Sequence, residues 1–150
     1  MTMVVLAGLL TCGILSNSRW QAVGLWFIAA QSVLSYFSSG VAKLVSPVWR
    51  SGDAIVGILR TETFGNPKLA TFLKDRPAAA KSLCWLTILF ECCFPIVLVV
   101  PSPYPWFIVA AGLGFHVGVA LVMDLNAFVW AFLATYPAIL FCHGHLPHLR

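Results

Sequence analysis

The hydrophobic positions of the chain gather into five runs, separated by short stretches of polar residues or proline. The runs are Met3–Leu15, Trp20–Leu44, Ala78–Val100, Trp106–Met123 and Leu125–Cys142. A helix needs about 20 mostly apolar residues to cross a bilayer with ~30 Å of hydrocarbon. The second and third runs reach this length, the last two fall slightly short, and the first is too short. The pattern predicts an all-α integral membrane protein, a bundle of about five transmembrane helices.

The first run, residues 3–15, could instead be a signal sequence. It lacks the basic start and the A-x-A cleavage site of a signal peptide. We therefore expect it to be retained as a thin or truncated first helix.

Residues 45–81 form the long connection between the second and third runs and carry most of the charge. The charged residues here are Arg50, Arg60, Lys68, Lys74, Arg76 and Lys81 against Asp53, Glu62 and Asp75. Short loops rich in Lys and Arg stay on the cytoplasmic side of a membrane. We therefore place this loop and the N-terminus in the cytoplasm and the C-terminus on the opposite side.

Two segments of this loop are amphipathic. DAIVGILR begins at Asp53, which can cap a helix, and PKLATFLK begins at Pro67, which suits the first position of one. Both segments predict short helices lying at the membrane interface. They would serve either as a plain surface connector or as a lid over a substrate entrance.

The composition agrees with this class of protein. Hydrophobic residues make up 60% of the chain and charged residues 9%, whereas soluble domains carry about 25% charged residues. Such a surface must meet lipid, so the bilayer is the first expected partner. The net charge of +4 is modest and concentrated in one loop, which argues against nucleic-acid binding. We treat residues 1–150 as a single domain.

The cysteines and the C-terminal histidines give weak signals. No cysteine pair forms C-x-x-C, and no spacing matches a zinc site, so no metal site is predicted. Cys12 and Cys142 could lie near the same membrane face, where a disulfide is possible. His143, His145 and His148 are expected to form a polar tail, able at most to bind a metal adventitiously.

Two polar residues fall in the middle of apolar runs. Glu91 lies centrally in the third run, and Pro95 removes the N–H that its carbonyl would accept. His116 lies centrally in the fourth run, among glycines that permit close approach. The PSPYP turn at residues 101–105 joins the two runs as a hairpin, which places both side chains at similar depth. The sequence therefore predicts a Glu91–His116 pair, either as an interhelical hydrogen bond or as a proton-handling site.

Lys43 lies near the end of the second run. Tyr36, Ser39 and Gly40 precede it at helical spacing and form a small polar stripe that suits a cavity wall. A lysine in a dry pocket can act as a base. The alternative is that its ammonium extends to the lipid headgroups.

Three stretches together resemble the vitamin K-dependent γ-carboxylase-like superfamily, which includes the horizontally transferred transmembrane (HTTM) domain proteins. YFSSGVAKLVSPVWRSGDAI, residues 36–55, is similar to its G-x-x-K…W-x-x-G stretch. LFECCFP, residues 89–95, is similar to its E-x-x-F-P helix, and GFHVGVALVMDLNAFVW, residues 114–130, to its F-H helix. The stretches follow the family order, and the resemblance covers roughly residues 20–142.

The resemblance implies a helical membrane bundle that binds a quinone or a reduced vitamin K-like molecule. By motif, Lys43 corresponds to the lysine linked to deprotonation of the reduced vitamin. We expect Lys43, Glu91 and His116 to be catalytic. The expected ligand-binding residues are Tyr36, Ser39, Gly40 and Trp49. The carboxylases are several times longer and carry a peptide-binding region, so carboxylation of peptides by this chain alone is not expected.

Two other functions stay open. The chain could be a non-catalytic accessory subunit of a larger membrane complex, with its polar residues joining helices. It could also be a redox accessory protein similar to the small DoxX-like and MauE-like proteins, which carry G-x-x-K near a helix end. Adjacent Cys92 and Cys93 point in different directions on a helix, which counts against a working dithiol.

Overall fold

The computed structural model describes residues 18–63 and 65–146, and within them regular structure is entirely helical. Eight α-helices follow one another in these residues: α1 Ser18–Val45, α2 Pro47–Ser51, α3 Asp53–Leu59, α4 Pro67–Lys74, α5 Pro77–Cys93, α6 Tyr104–Met123, α7 Asn126–Leu133 and α8 Tyr136–Gly144. A 3₁₀ helix, Phe94–Leu98, continues α5.

Four helical segments of the described chain are long and apolar enough to cross a membrane. They are Trp20–Val45, Pro77–Leu98, Tyr104–Met123 and Asn126–Gly144. They coincide with the second to fifth hydrophobic runs, so the all-helical, membrane-spanning architecture is confirmed at this level. The run at residues 3–15 lies outside the described residues, and the count of five spans stays a prediction.

Proline interrupts two of the spans. Pro95 has no N–H to give to the preceding turn, and the helix tightens from α to 3₁₀ just before it, at Phe94. Pro137 lies at the start of α8 and divides the last span into α7 and α8. At this break the Thr135 hydroxyl donates to the Phe132 carbonyl at 2.7 Å, which satisfies one carbonyl at the end of α7.

The bundle is organised around α1. This helix packs mainly against α5 and α8, while α6 packs mainly against α7. The central core contains apolar and aromatic side chains from α1, the 3₁₀ helix, α6, α7 and α8. Its buried members are Ile28, Ala29, Tyr36, Phe94, Val97, Val109, Phe132, Tyr136, Ala138, Ile139 and Cys142.

The connector between α1 and α5 runs back beside α5. The indole N–H of Trp85 donates to the Arg50 carbonyl at 3.3 Å. At Gly52 (φ +99°) an added Cβ would lie 2.7 Å from Cα of Lys81, so the backbones leave no room for a side chain. A second apolar cluster joins α3, α4 and the start of α5 through Leu59, Ala70, Leu73 and Ala80.

The caps of the connector helices differ from the expectation. Gly52, not Asp53, occupies the N-cap of α3, and Asp53 is the first helical residue. The prediction of an Asp53 cap was wrong because its carboxylate instead accepts the Ser51 hydroxyl at 2.6 Å. At α4 the side chain of Asn66 accepts from the Leu69 N–H at 3.1 Å, a cap that the sequence analysis missed.

Candidate functional site

An ion pair joins α1 to α5 inside the bundle. Lys43 Nζ donates to Glu91 Oε2 at 2.6 Å, and the two side chains are only 19% and 7% exposed. It is the one salt bridge within residues 18–63 and 65–146. Glu91 lies roughly 21 Å along the axis from the first residue of α5, at ~1.5 Å per residue. The carboxylate gives the ammonium a partner within the bundle, and the extension of Lys43 to the headgroups stays an untested alternative.

Close approach of the two backbones makes this pair possible. An added Cβ on Gly40 would lie 2.6 Å from the Cys92 nitrogen and 2.9 Å from the carbonyl carbon of Glu91. Lys43 follows one helical turn later on the same face of α1, so its chain reaches across the seam. The Trp49 ring centroid lies 5.1 Å from Nζ, within cation–π range.

A second polar cluster lies deeper in the bundle and joins α1, α6 and α8. The Tyr36 hydroxyl is 2.7 Å from His116 Nε2 and 2.9 Å from the Tyr136 hydroxyl. All three side chains are buried. Tyr136 is a site residue that the sequence analysis missed. The available signal was a tyrosine inside an apolar span, since a buried tyrosine hydroxyl usually needs a partner.

Aromatic rings wall this cluster on several sides. The Tyr36 ring stacks on Phe94 with centroids 3.7 Å apart, and the His116 ring stacks on Phe132 at 4.1 Å. Gly112 leaves room for the hydroxyls, because an added Cβ there would lie 2.8 Å from the Tyr136 oxygen. In such surroundings a hydrogen bond is electrostatically stronger than in water.

The predicted Glu91–His116 pair was wrong, because each residue has a different partner on α1. The hairpin argument assumed that α5 and α6 would pack face to face. Instead α5 packs mainly against α1 and the connector, and α6 meets the 3₁₀ helix that follows α5. The rings of Phe90 and Phe115 bridge the remaining space between α5 and α6.

The structure divides the predicted ligand-binding residues. Tyr36 and Gly40 are buried on the face of α1 that meets the rest of the bundle, and Trp49 lies beside Lys43. Ser39 is exposed and belongs to neither polar cluster. Successive helical residues are about 100° apart, so Ser39 points away from the seam that Gly40 occupies.

The other buried polar side chains of the described residues also have partners within the chain. Ser32 and Thr135 share a hydrogen bond of 2.9 Å between α1 and the start of α8. In the described part of the chain, no buried side-chain nitrogen or oxygen lacks a partner. The same residues contain no group of three His, Cys, Asp or Glu side chains that could hold a metal.

Four cysteines can be placed, and all four are free thiols. Cys84 and Cys142 are buried, Cys92 is partly buried, and Cys93 is exposed. Cys12 lies outside the described residues, so the possible disulfide with Cys142 stays a prediction.

Comparison with protein-family models, with curated proteins and with solved structures gave no match. The class of protein to which the chain belongs is therefore defined by its fold and its polar site alone. The chain is a multi-pass helical membrane protein with an ion pair and a tyrosine–histidine cluster between its spans.

We expect Tyr36→Phe to lower the free energy of unfolding by about 1–3 kcal/mol, because it leaves His116 and Tyr136 with unsatisfied buried groups. SDS titration in mixed micelles measures this change. Tyr104→Phe is the matched control, because Tyr104 is exposed. A loss at Tyr36 no larger than that at Tyr104 would contradict the energetic role of the cluster.

Proposed function

We propose that this protein binds a quinol-like, lipid-soluble ligand in the membrane and that the Lys43–Glu91 pair accepts a proton from it. The observation that carries this proposal is the 2.6 Å ion pair within an otherwise apolar stretch of α5. Ionisable side chains inside membrane spans are costly, and where they occur they generally mark ligand or proton pathways.

The pair suits proton transfer because it keeps the net charge constant. Glu91 takes a proton from the Lys43 ammonium, and the resulting amine takes the proton of a ligand O–H. The products are a ligand oxyanion, a Lys43 ammonium and a neutral Glu91 carboxyl. The oxyanion then faces the ammonium, so no isolated charge forms in a medium of low dielectric constant.

The proposed ligand ring would approach the pair from the side of Lys43. Lys43 is the more exposed member of the pair, so its nitrogen is the group that a ligand would meet first. The Trp49 indole beside it offers a flat apolar surface. Glu91, more deeply buried, then acts through Lys43.

The tyrosine–histidine cluster lies next to the ion pair along α1, since Tyr36 precedes Gly40 and Lys43 follows it. We propose that this cluster holds the helices around the ion pair in place. Tyr136, Tyr36 and His116 form a continuous series of hydrogen bonds between three of the spans. We assign His116 to holding the Tyr36 hydroxyl in place. Its ring is fixed in turn by stacking on Phe132.

The contacts between the three motif stretches support the proposal that their polar residues act together. Lys43 of the first stretch meets Glu91 of the second, and Tyr36 of the first meets His116 of the third. Residues that the resemblance selected far apart along the chain thus lie in two neighbouring clusters. The proposed ligand is accordingly a quinol such as reduced vitamin K, and no further cofactor is proposed.

Anaerobic titration with menadiol, a tailless naphthoquinol, tests this function. We expect the protein in nanodiscs to bind menadiol and to shift its absorption toward that of the oxyanion. Lys43→Met should weaken binding by about 10- to 100-fold, the loss expected for a charge-assisted hydrogen bond. Lys68→Met is the matched control, since Lys68 is an exposed lysine of α4.

A second variant separates binding from folding. Lys43→Met/Glu91→Leu removes both charges, so no unpaired ion is left to destabilise the bundle. We expect it to stay folded and to fail to bind menadiol. Menadiol binding equal to that of the wild type would overturn the proposal.

An accessory role in a larger membrane complex is the second candidate. It is favoured by the complete internal pairing of buried polar groups across the described residues, which suits polar contacts that only join helices. Gentle extraction from native membranes followed by mass measurement tests it. A stable stoichiometric complex, together with no menadiol binding, would favour the accessory role. No observation specifically favours a thiol-based redox role, because the cysteines that the structure places are unpaired.

We further propose the orientation given by the charge of the connector. Arg50, Arg60 and Lys74 would lie on the cytoplasmic side with the rest of residues 45–81, under the positive-inside rule. The described C-terminal end at Leu146 would then lie on the opposite side, after four spans. Residues 3–15 would add a fifth span and return the N-terminus to the cytoplasm.

A further inference from the structure

A cavity of about 310 Å³ lies between the connector helices and the start of α5. Its wall is formed by the turn before α3, by α3 itself, by the end of α4 and by Pro77 and Ala80 of α5. Arg60 and Lys74 both line it. The Lys43–Glu91 site takes no part in this cavity, and the proposed quinol chemistry does not use it.

The charge of this wall is unbalanced. Arg60 and Lys74 are both exposed, and neither forms an ion pair with a residue that the structure describes. Asp53 also lines the cavity, but its carboxylate already accepts the Ser51 hydroxyl at 2.6 Å. A neutral hydroxyl leaves the charge of the carboxylate unchanged, so two cations and one carboxylate give the wall a net positive charge that favours an anion.

The remaining wall is apolar and firmly held. Leu73 and Ala80 belong to the cluster that joins α3, α4 and α5, so the two cations project from helices fixed to one another. The cavity also adjoins the first turn of a membrane span, because Pro77 lines it and begins the segment Pro77–Leu98. A basic recess at the end of a span is a common place for anionic lipid headgroups.

We propose that this cavity binds the phosphate of an anionic phospholipid. The Arg60 guanidinium can hold two phosphate oxygens at once, and the Lys74 ammonium adds a second positive charge. The position at the end of a span favours a lipid over a soluble phosphate, because the acyl chains can stay in the bilayer while the headgroup enters the recess. The volume is at the lower end of that of small-molecule sites, which fits a headgroup.

Binding of short-chain lipids to the detergent-purified protein tests the proposal. The probes are dihexanoyl phosphatidylglycerol, dihexanoyl phosphatidylcholine and inorganic phosphate, titrated separately with native mass spectrometry as the readout. We expect phosphatidylglycerol to bind at least tenfold more tightly than either of the others. Arg60→Gln/Lys74→Gln should weaken its binding at least tenfold.

Two further variants make the test specific to the cavity. Lys68→Gln/Arg76→Gln removes the same charge from residues outside the cavity wall and should change binding less than threefold. Gly57→Leu adds no charge but places a bulky side chain at the cavity wall, since Gly57 lines the cavity and an added Cβ there meets no atom within 4 Å. It should weaken binding at least tenfold.

Each contrary result overturns the proposal. Equal losses in the two charge-removing variants would show general attraction to a basic surface. Wild-type binding by Gly57→Leu would place the lipid elsewhere. Inorganic phosphate bound as tightly as phosphatidylglycerol would assign the cavity to a soluble phosphate, and equally tight phosphatidylcholine would remove the requirement for an anionic lipid.

Discussion

Glu91→Leu is expected to lower the free energy of unfolding by about 3 kcal/mol, because it leaves the Lys43 ammonium in an apolar seam without its carboxylate. Removing one partner of a buried pair typically costs about 3–5 kcal/mol. The lower end applies here because Lys43 keeps 19% of its side chain exposed and regains some hydration. SDS titration in mixed micelles measures the change.

The double variant Lys43→Met/Glu91→Leu should recover most of this loss. Two apolar side chains of similar volume then replace the pair, a change that is often neutral or stabilising. Glu62→Leu is the matched control, because Glu62 is an exposed carboxylate of the connector and should change stability by less than ~0.5 kcal/mol. If the double variant were as unstable as Glu91→Leu, the pair would not be an energetically coupled unit.

These variants also separate a chemical role from a structural one. A pair retained to join helices can be replaced by apolar packing with no loss of anything but charge. A pair retained to move a proton cannot be replaced in this way, because apolar side chains neither accept nor donate a proton. A double variant that is as stable as the wild type and no longer binds menadiol would therefore show that Lys43 and Glu91 serve ligand binding and are not needed to join the helices.

Hydropathy predicted the four described spans because the length of an apolar run is a local property. The helix breaks were only partly predicted. Pro95 was recognised as an interruption, whereas the division of the last span at Pro137 was not. In both cases the physical cause, a missing N–H, is visible in the sequence.

The partners of the polar residues could not be predicted in the same way. The residue types and the face of α1 that carries Tyr36, Gly40 and Lys43 follow from helical periodicity. Which helix lies opposite that face depends on the packing of the whole bundle. The hairpin argument chose α6 as the partner of Glu91, but α1 lies beside α5 and supplies Lys43 instead.

One face of α1 makes a polar contact with each of the other described spans. Ser32 bonds to Thr135, Tyr36 bonds to His116 and Tyr136, and Lys43 bonds to Glu91. Apolar side chains do not fix the rotation of a helix within lipid, because lipid and neighbouring helices are similarly apolar. These directional bonds therefore specify the rotation of α1. The position of α1 against α5 is set at Gly40, where the two backbones meet.

Gly40→Ala is accordingly expected to lower the free energy of unfolding by about 2 kcal/mol. We expect the same substitution to weaken menadiol binding. Its Cβ would meet the backbone nitrogen of Cys92 at 2.6 Å and the Glu91 carbonyl carbon at 2.9 Å, atoms that cannot rotate away. Overpacking of this kind costs about 1–3 kcal/mol. The helices must separate, and Lys43 then reaches Glu91 less well.

Gly114→Ala is the matched control for this substitution. Gly114 is also a helix-interior glycine, but an added Cβ there meets nothing within 4 Å. Alanine has the higher helix propensity by about 1 kcal/mol, so Gly114→Ala should be neutral or stabilising. SDS titration of both variants should thus separate them by about 2–3 kcal/mol. Equal stability of the two would mean that α1 and α5 can part without cost, and Gly40 would then not set the distance at which Lys43 and Glu91 pair.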